Sequence, residues 1–187
     1  MSREELFVNA YHELALIKRM GDLLGSFGLD SSNSTLVGVS SDYSAIAWQI
    51  LRHRLSFDGD ACNGFCVDVP YPDEQWTGDT SEAILRAFRS GDLKKNIVLI
   101  EAGVIRGSNY IAMCDLLAKH GEFDKHDIRS STLFENIGSK FKSEFVCEYY
   151  DDEKYDLTFW WERFNRHWCS SGISSGRSYF FTGRRYS

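Results

Sequence analysis

The sequence predicts an α/β fold, with one doubly wound, mainly parallel sheet flanked by helices. Three observations carry this. Thr35–Val39 and Asn96–Ile100 are short, β-branched and apolar runs that do not alternate, the pattern of strands buried on both faces. Each is followed by a short loop and then by helical spacing, so that strand, loop and helix recur. A chain of 187 residues, 43% of them apolar, fits one domain that can bury a core.

The elements follow in order. Ser2 with Glu5 reads as a capping box, and Leu6, Ala10, Leu14 and Ile17 recur at helical spacing, so residues 2–25 are expected to form an added N-terminal helix stopped by Gly25. Asp30–Ser34 is a polar turn into the strand 35–39. Residues 40–44 form a tight polar loop, and 45–55 carry Ile46, Ile50 and Leu51 on one helical face. Gly64–Val69 can form a strand, and Thr80–Arg89 a short helix with Glu82 in its first turn. Asn96–Ile100 is the clearest strand. Residues 101–107 read as a loop, 109–120 as a helix, and 128–134 and 145–149 as strands. Asp151–Glu153 is a turn, and 155–161 an aromatic run. Residues 1–169 form one domain on this reading. Residues 170–187 form a Ser/Gly/Arg/aromatic tail with Arg177, Arg184 and Arg185 and no acid, suited to docking.

Composition narrows the function classes. With 27 acids against 21 bases the net charge is -6, which argues against a broad nucleic-acid surface. No apolar run approaches the roughly 18 residues that span a bilayer, and the first residues are acidic where a secretion signal would be basic and then apolar. A cytoplasmic protein is expected. The five cysteines lack paired zinc spacing, Cys114 and Cys147 read as buried thiols, and no metal site of the protein's own is expected. The histidines read as surface residues, and no nucleophilic serine motif is present.

Ile97–Tyr110 is the segment that best suits chemistry. A buried strand runs into an acid, a loop with glycines follows, and a helix begins. In doubly wound sheets, ligands bind outside the carboxyl ends of the strands. Loop amides at a helix N-terminus suit a phosphate, and Glu101 suits the hydroxyls of a ribose. A plain strand-to-helix connection with an exposed acid has the same pattern.

This segment resembles the signature loop of the type I phosphoribosyltransferases, in which apolar strand residues lead into two acids, two apolar residues, an acid, Thr, Gly, a variable residue and Thr. Glu101 takes the first acid, Gly103 and Val104 the apolar pair, Gly107 the glycine and Asn109 the final Thr. Leu36–Ala45 is similar to the family's first strand and pyrophosphate loop. Asp156–Glu162 is similar to its closing segment, where a Trp-Glu pair lies near the base pocket. The resemblance implies a phosphoribosyltransferase-like fold that binds a ribose 5-phosphate ligand, either phosphoribosyl pyrophosphate (PRPP) or a nucleotide. It implies ribose contact and catalysis by Glu101, and 5-phosphate contacts by Arg106, Gly107, Ser108 and Asn109. Ser40, Ser41, Asp42 and Tyr43 would line the pyrophosphate side, and Trp160 or Trp161 would stack on the base. Mg²⁺ would come with the ligand where PRPP is bound. A homo-oligomer or a protein partner is also implied.

The departures bear on activity. Ala102 and Ile105 stand where the family has its second and third acids, and Arg106 replaces a Thr. Asp42 beside pyrophosphate would cost about 4 kcal/mol at 4 Å and an effective dielectric near 20, unless Mg²⁺ bridges them. Weak, altered or absent phosphoribosyl transfer is therefore expected. The alternative is a catalytically silent nucleotide sensor, or an assembly subunit that uses its tail to dock.

Overall fold

The computed structural model describes residues 3–39, 64–67, 78–90, 93–120, 123 and 126–160. Five strands form a parallel sheet: β2 (Ser34–Val39), β3 (Gly64–Val67), β4 (Asn96–Val104), β5 (Asp127–Asn136) and β6 (Phe145–Tyr150). Their order is β3-β2-β4-β5-β6, so β4 is central and pairs in parallel with β2 and β5. The two runs that are apolar throughout thus lie side by side in the interior of the sheet. All six residues of β2 are buried, as are seven of the nine in β4.

Three described helices cover the two faces. Leu16, Ile17, Met20 and Leu24 of α1 (Ala10–Ser26) pack over Val98, Ile100 and Ala102. On the other face, α2 (Gly78–Ser90) and α3 (Ser108–Lys119) bring Ile84, Leu85, Phe88, Tyr110, Met113 and Leu117 against Ile97 and Leu99. Full burial of each Leu or Ile side chain stabilises by about 1.5–3 kcal/mol, which is why a strand apolar on both sides is held in the middle. No helix among the described residues is long and apolar enough to cross a membrane.

The N-terminal helix expected over 2–25 is corrected. Glu4–Val8 is a strand, β1, paired in parallel with β7 (Tyr155–Phe159) as a two-stranded ribbon. The helix starts only at Ala10. Its N-cap is Asn9, whose side chain accepts the amide of His12 at 2.9 Å, so the proposed Ser2–Glu5 cap is not the helix start. Leu6 and Val8 join the core through the ribbon, and their spacing from Ala10 only imitates a helix. Asn9→Ala is expected to cost about 1 kcal/mol, read as a lowered urea midpoint, since it leaves the first-turn amide without its acceptor.

The expected loop 101–107 is corrected as well, because β4 continues to Val104. Its alternation breaks near the end: Ala102 faces the α1 side and Val104 the α3 side. Gly103 lies between them, and a Cβ there would come 3.1 Å from Leu157 Cδ2 and 3.6 Å from Phe159 Cε2. The missing side chain lets the β1–β7 ribbon approach the end of β4. The helix expected at 45–55 and the tail 170–187 lie outside the described residues.

Candidate functional site

The carboxyl end of the central strand opens into Ile105–Gly107, and α3 begins at Ser108. Gly107 is the N-cap, with φ +76°, a left-handed conformation that favours glycine. Among the described residues no side chain caps this helix, and its first turn holds no acid. The contrast is with α1, which is capped by Asn9 and carries Glu13 in its first turn. The leading amides of α3 thus lack the side-chain acceptor that satisfies such groups elsewhere, and they present a partial positive charge. Arg106 is exposed just before them, as is Ser108.

The α-carbon of Gly107 does not face open space. A Cβ there would lie 2.2 Å from Phe141 Cβ and 3.2 Å from Ser139 Oγ. Phe141 in turn stacks at a tilt on Tyr110, with ring centroids 5.0 Å apart. The connection between β5 and β6 therefore backs the loop. Gly107→Val would therefore disturb the fold as well as the loop.

Glu101 sits inside β4 and is nearly sealed from solvent. Burial raises its carboxyl from the ordinary 4.5 to about 8, and the hydrogen bond from Asn109 opposes this only in part. Asn109 Nδ2 donates to Glu101 Oε1 at 3.2 Å, which brings two of the sequence-predicted residues together. At neutral pH the carboxyl is largely protonated, so it can both donate and accept. Beneath it, the hydroxyl of Tyr110 donates to the Ser131 carbonyl. Burial, followed by the nearby Glu101, holds that phenol well above its usual range.

Trp160 has its indole N–H on the carboxylate of Glu13, and it packs on the α1 side of the core. Ser40, Ser41, Asp42, Tyr43 and Trp161 lie outside the described residues. Cys147 is buried, as expected, and burial pushes its thiol up to about 12; Cys114 is only half-buried. Among the described residues, no group of three or more His, Cys, Asp or Glu side chains could hold a metal ion.

Sequence reasoning missed the residues that brace the loop from β5. Glu135 is fully buried, accepts the amide of Ser143 at 2.7 Å, and lies 3.6 Å from Lys142 Nζ. Asn136 binds Ile105, Gly138 and Asp152. Ser139 Oγ is buried with no hydrogen-bond partner among the described residues. Glu135 and Asn136 both end a strand of mixed polarity, Asp127–Asn136, and belong to no motif that a sequence reading could single out.

No protein-family model matches the chain, and no curated protein does. Solved structures do. The purine phosphoribosyltransferase of Pyrococcus horikoshii Ot3 aligns with a TM-score of 0.59 at 14% identity, over 84% of this chain and 94% of that one. The xanthine-guanine-hypoxanthine phosphoribosyltransferase of Helicobacter pylori aligns with a TM-score of 0.61 at 11% identity, over 90% of this chain and 99% of that one. At such identities the likeness concerns the path of the backbone, and the chain has the fold of the type I phosphoribosyltransferases.

Proposed function

We propose that this protein binds a ribose 5-phosphate ligand, PRPP or a nucleotide, at the carboxyl end of β4, with weak or absent phosphoribosyl transfer. The start of α3 carries the proposal: a left-handed glycine N-cap, no capping side chain among the described residues and no first-turn acid, behind an exposed arginine. Its amides would take the 5-phosphate, and Arg106 would add charge-assisted hydrogen bonds. Ser108 would border the same phosphate. Glu101 would meet ribose hydroxyls from inside β4, three residues short of the strand end, with Asn109 holding its carboxyl in place. Ser40–Tyr43 would line a pyrophosphate, and Trp160 or Trp161 the base. Mg²⁺ would arrive on the ligand's pyrophosphate and screen it from Asp42.

The chemistry favours binding over transfer. Displacing pyrophosphate from ribose develops positive charge on the sugar, and fixed carboxylates steady it. Ala102 and Ile105 supply none, and Glu101 is largely neutral at pH 7. The second reading, a silent sensor or assembly subunit, draws on the same observation.

The test is a thermal-shift series with ribose 5-phosphate, nucleoside monophosphates and PRPP, with and without Mg²⁺. One of these at 100 times its Kd should add about 2.7 kcal/mol of stability. Arg106→Ala should weaken binding at least tenfold and leave the unliganded melting temperature unchanged. No shift with any of these ligands refutes the proposal. Pyrophosphate release from PRPP with a panel of bases then separates an enzyme from a sensor.

A further inference from the structure

Asn136 ends β5, and its side-chain amide is fully engaged. Nδ2 donates to the Ile105 carbonyl at 3.1 Å and to Asp152 Oδ1 at 2.8 Å. Oδ1 accepts the backbone amides of Gly138 at 3.2 Å and Asp152 at 3.3 Å. A carboxamide has two donor hydrogens and two acceptor lone pairs, so none is left over for a ligand. Three connections meet on this one group: the β4–α3 loop, the β5–β6 turn and the β6–β7 turn.

The bond to Ile105 has a geometric effect. Its carbonyl shares a planar trans peptide with the amide of Arg106, so the two point in opposite directions. Whatever holds the carbonyl also aims the amide, and that amide leads into Gly107 and the open start of α3. Ile105 and Arg106 are both exposed, so no core packing of their side chains does this instead.

We propose that Asn136 is the positioning residue of the anion loop. It aims the Arg106 amide through the Ile105 carbonyl, and the same side-chain amide separately holds the β6–β7 turn at Asp152. The functional part rests on the reading of this loop as a phosphate site.

A donor–acceptor exchange tests it. In Asn136→Asp, the carboxylate faces Asp152 and nothing donates to Ile105. Adding Asp152→Asn restores the bond between positions 136 and 152 with its direction reversed and the net charge of wild type. The Ile105 carbonyl still has no donor. The double variant should therefore recover most of the melting temperature lost in Asn136→Asp. The direction of the Arg106 N–H bond, measured without ligand from NMR residual dipolar couplings fitted to the sheet, should stay turned from that of wild type. The Kd for ribose 5-phosphate should stay at least tenfold weaker.

A wild-type N–H direction at Arg106 in the double variant would overturn the proposal. Should that variant fail to fold, Asp152→Ala decides. It removes the side-chain contact at 152 and keeps the backbone amide bond there and the Ile105 bond, so the Arg106 N–H must keep its wild-type direction, and a turned N–H counts against the idea. If wild type does not bind ribose 5-phosphate, the functional reading falls, and the N–H direction in the unliganded protein still decides the role of Asn136.

Discussion

Glu101→Gln is expected to stabilise the protein, and by more as the pH rises. The carboxyl is raised in the folded chain from 4.5 to about 8 by burial. Between those values the unfolded chain is ionised there and the folded chain holds the proton. Stability that is fully present below about pH 4.5 is then lost as the pH rises toward 8, at about 1.4 kcal/mol per pH unit. Glutamine stays neutral throughout and keeps an oxygen for Asn109 Nδ2. The two proteins should match near pH 4.5 and diverge up to pH 8, with an upper bound on the order of 4–5 kcal/mol. Urea unfolding of both at pH 5, 6.5 and 8 measures it, and curves that stay parallel would show that Glu101 is ionised in the folded protein. The same variant separates the functional readings. Ligand binding should persist in it. Wild-type pyrophosphate release that fell about 10²–10³-fold in Glu101→Gln would instead assign the carboxylate a catalytic charge.

Gly107→Ala should destabilise the fold strongly, by a backbone cost and a packing cost together. The left-handed backbone costs an L-residue roughly 1–2 kcal/mol. The new methyl also meets Phe141 at Cβ and Cα, close to the backbone, where the neighbour cannot simply swing aside. Overpacking of this kind adds about 1–3 kcal/mol. Gly28→Ala is the control, since Gly28 has φ +71° and no described residue comes within 4 Å of its would-be Cβ. It should show the backbone cost alone. Calorimetry of the two variants isolates the Phe141 contact, at roughly 2–4 °C per kcal/mol for a chain of this size. Equal losses in both would mean that the 137–144 segment yields freely.

The centre of the fold was legible because its strands are uniform. Nothing but burial on both sides explains Ile97-Val-Leu-Ile100, and the central position of β4 followed from that. The end of the same strand was not legible, because Glu101 and Gly103 look like a loop. One is a mostly protonated acid, and the other is small to admit Leu157. β1 was hidden for a different reason. Its partner is β7, far along the chain, and local spacing carries no trace of that pairing. Of the site, Glu101, Gly107 and Asn109 could be read from one contiguous segment. Asn136 could not, because a single amide at a strand end carries no pattern. Its importance comes from three turns that meet only in space.

The β1–β7 pairing also sets an order of assembly. Residues on the order of 150 positions apart are joined there, beginning with Glu4 beside Tyr155. Closing so long a loop costs about 4 kcal/mol from the logarithm of its length alone. Until β7 has emerged from the ribosome, Leu6 and Val8 have no strand to join, while β2, β4 and β5 can already pair. The ribbon that meets Gly103 beside the candidate site therefore completes late, and a nascent chain arrested before Tyr155 would present β1 to holding chaperones.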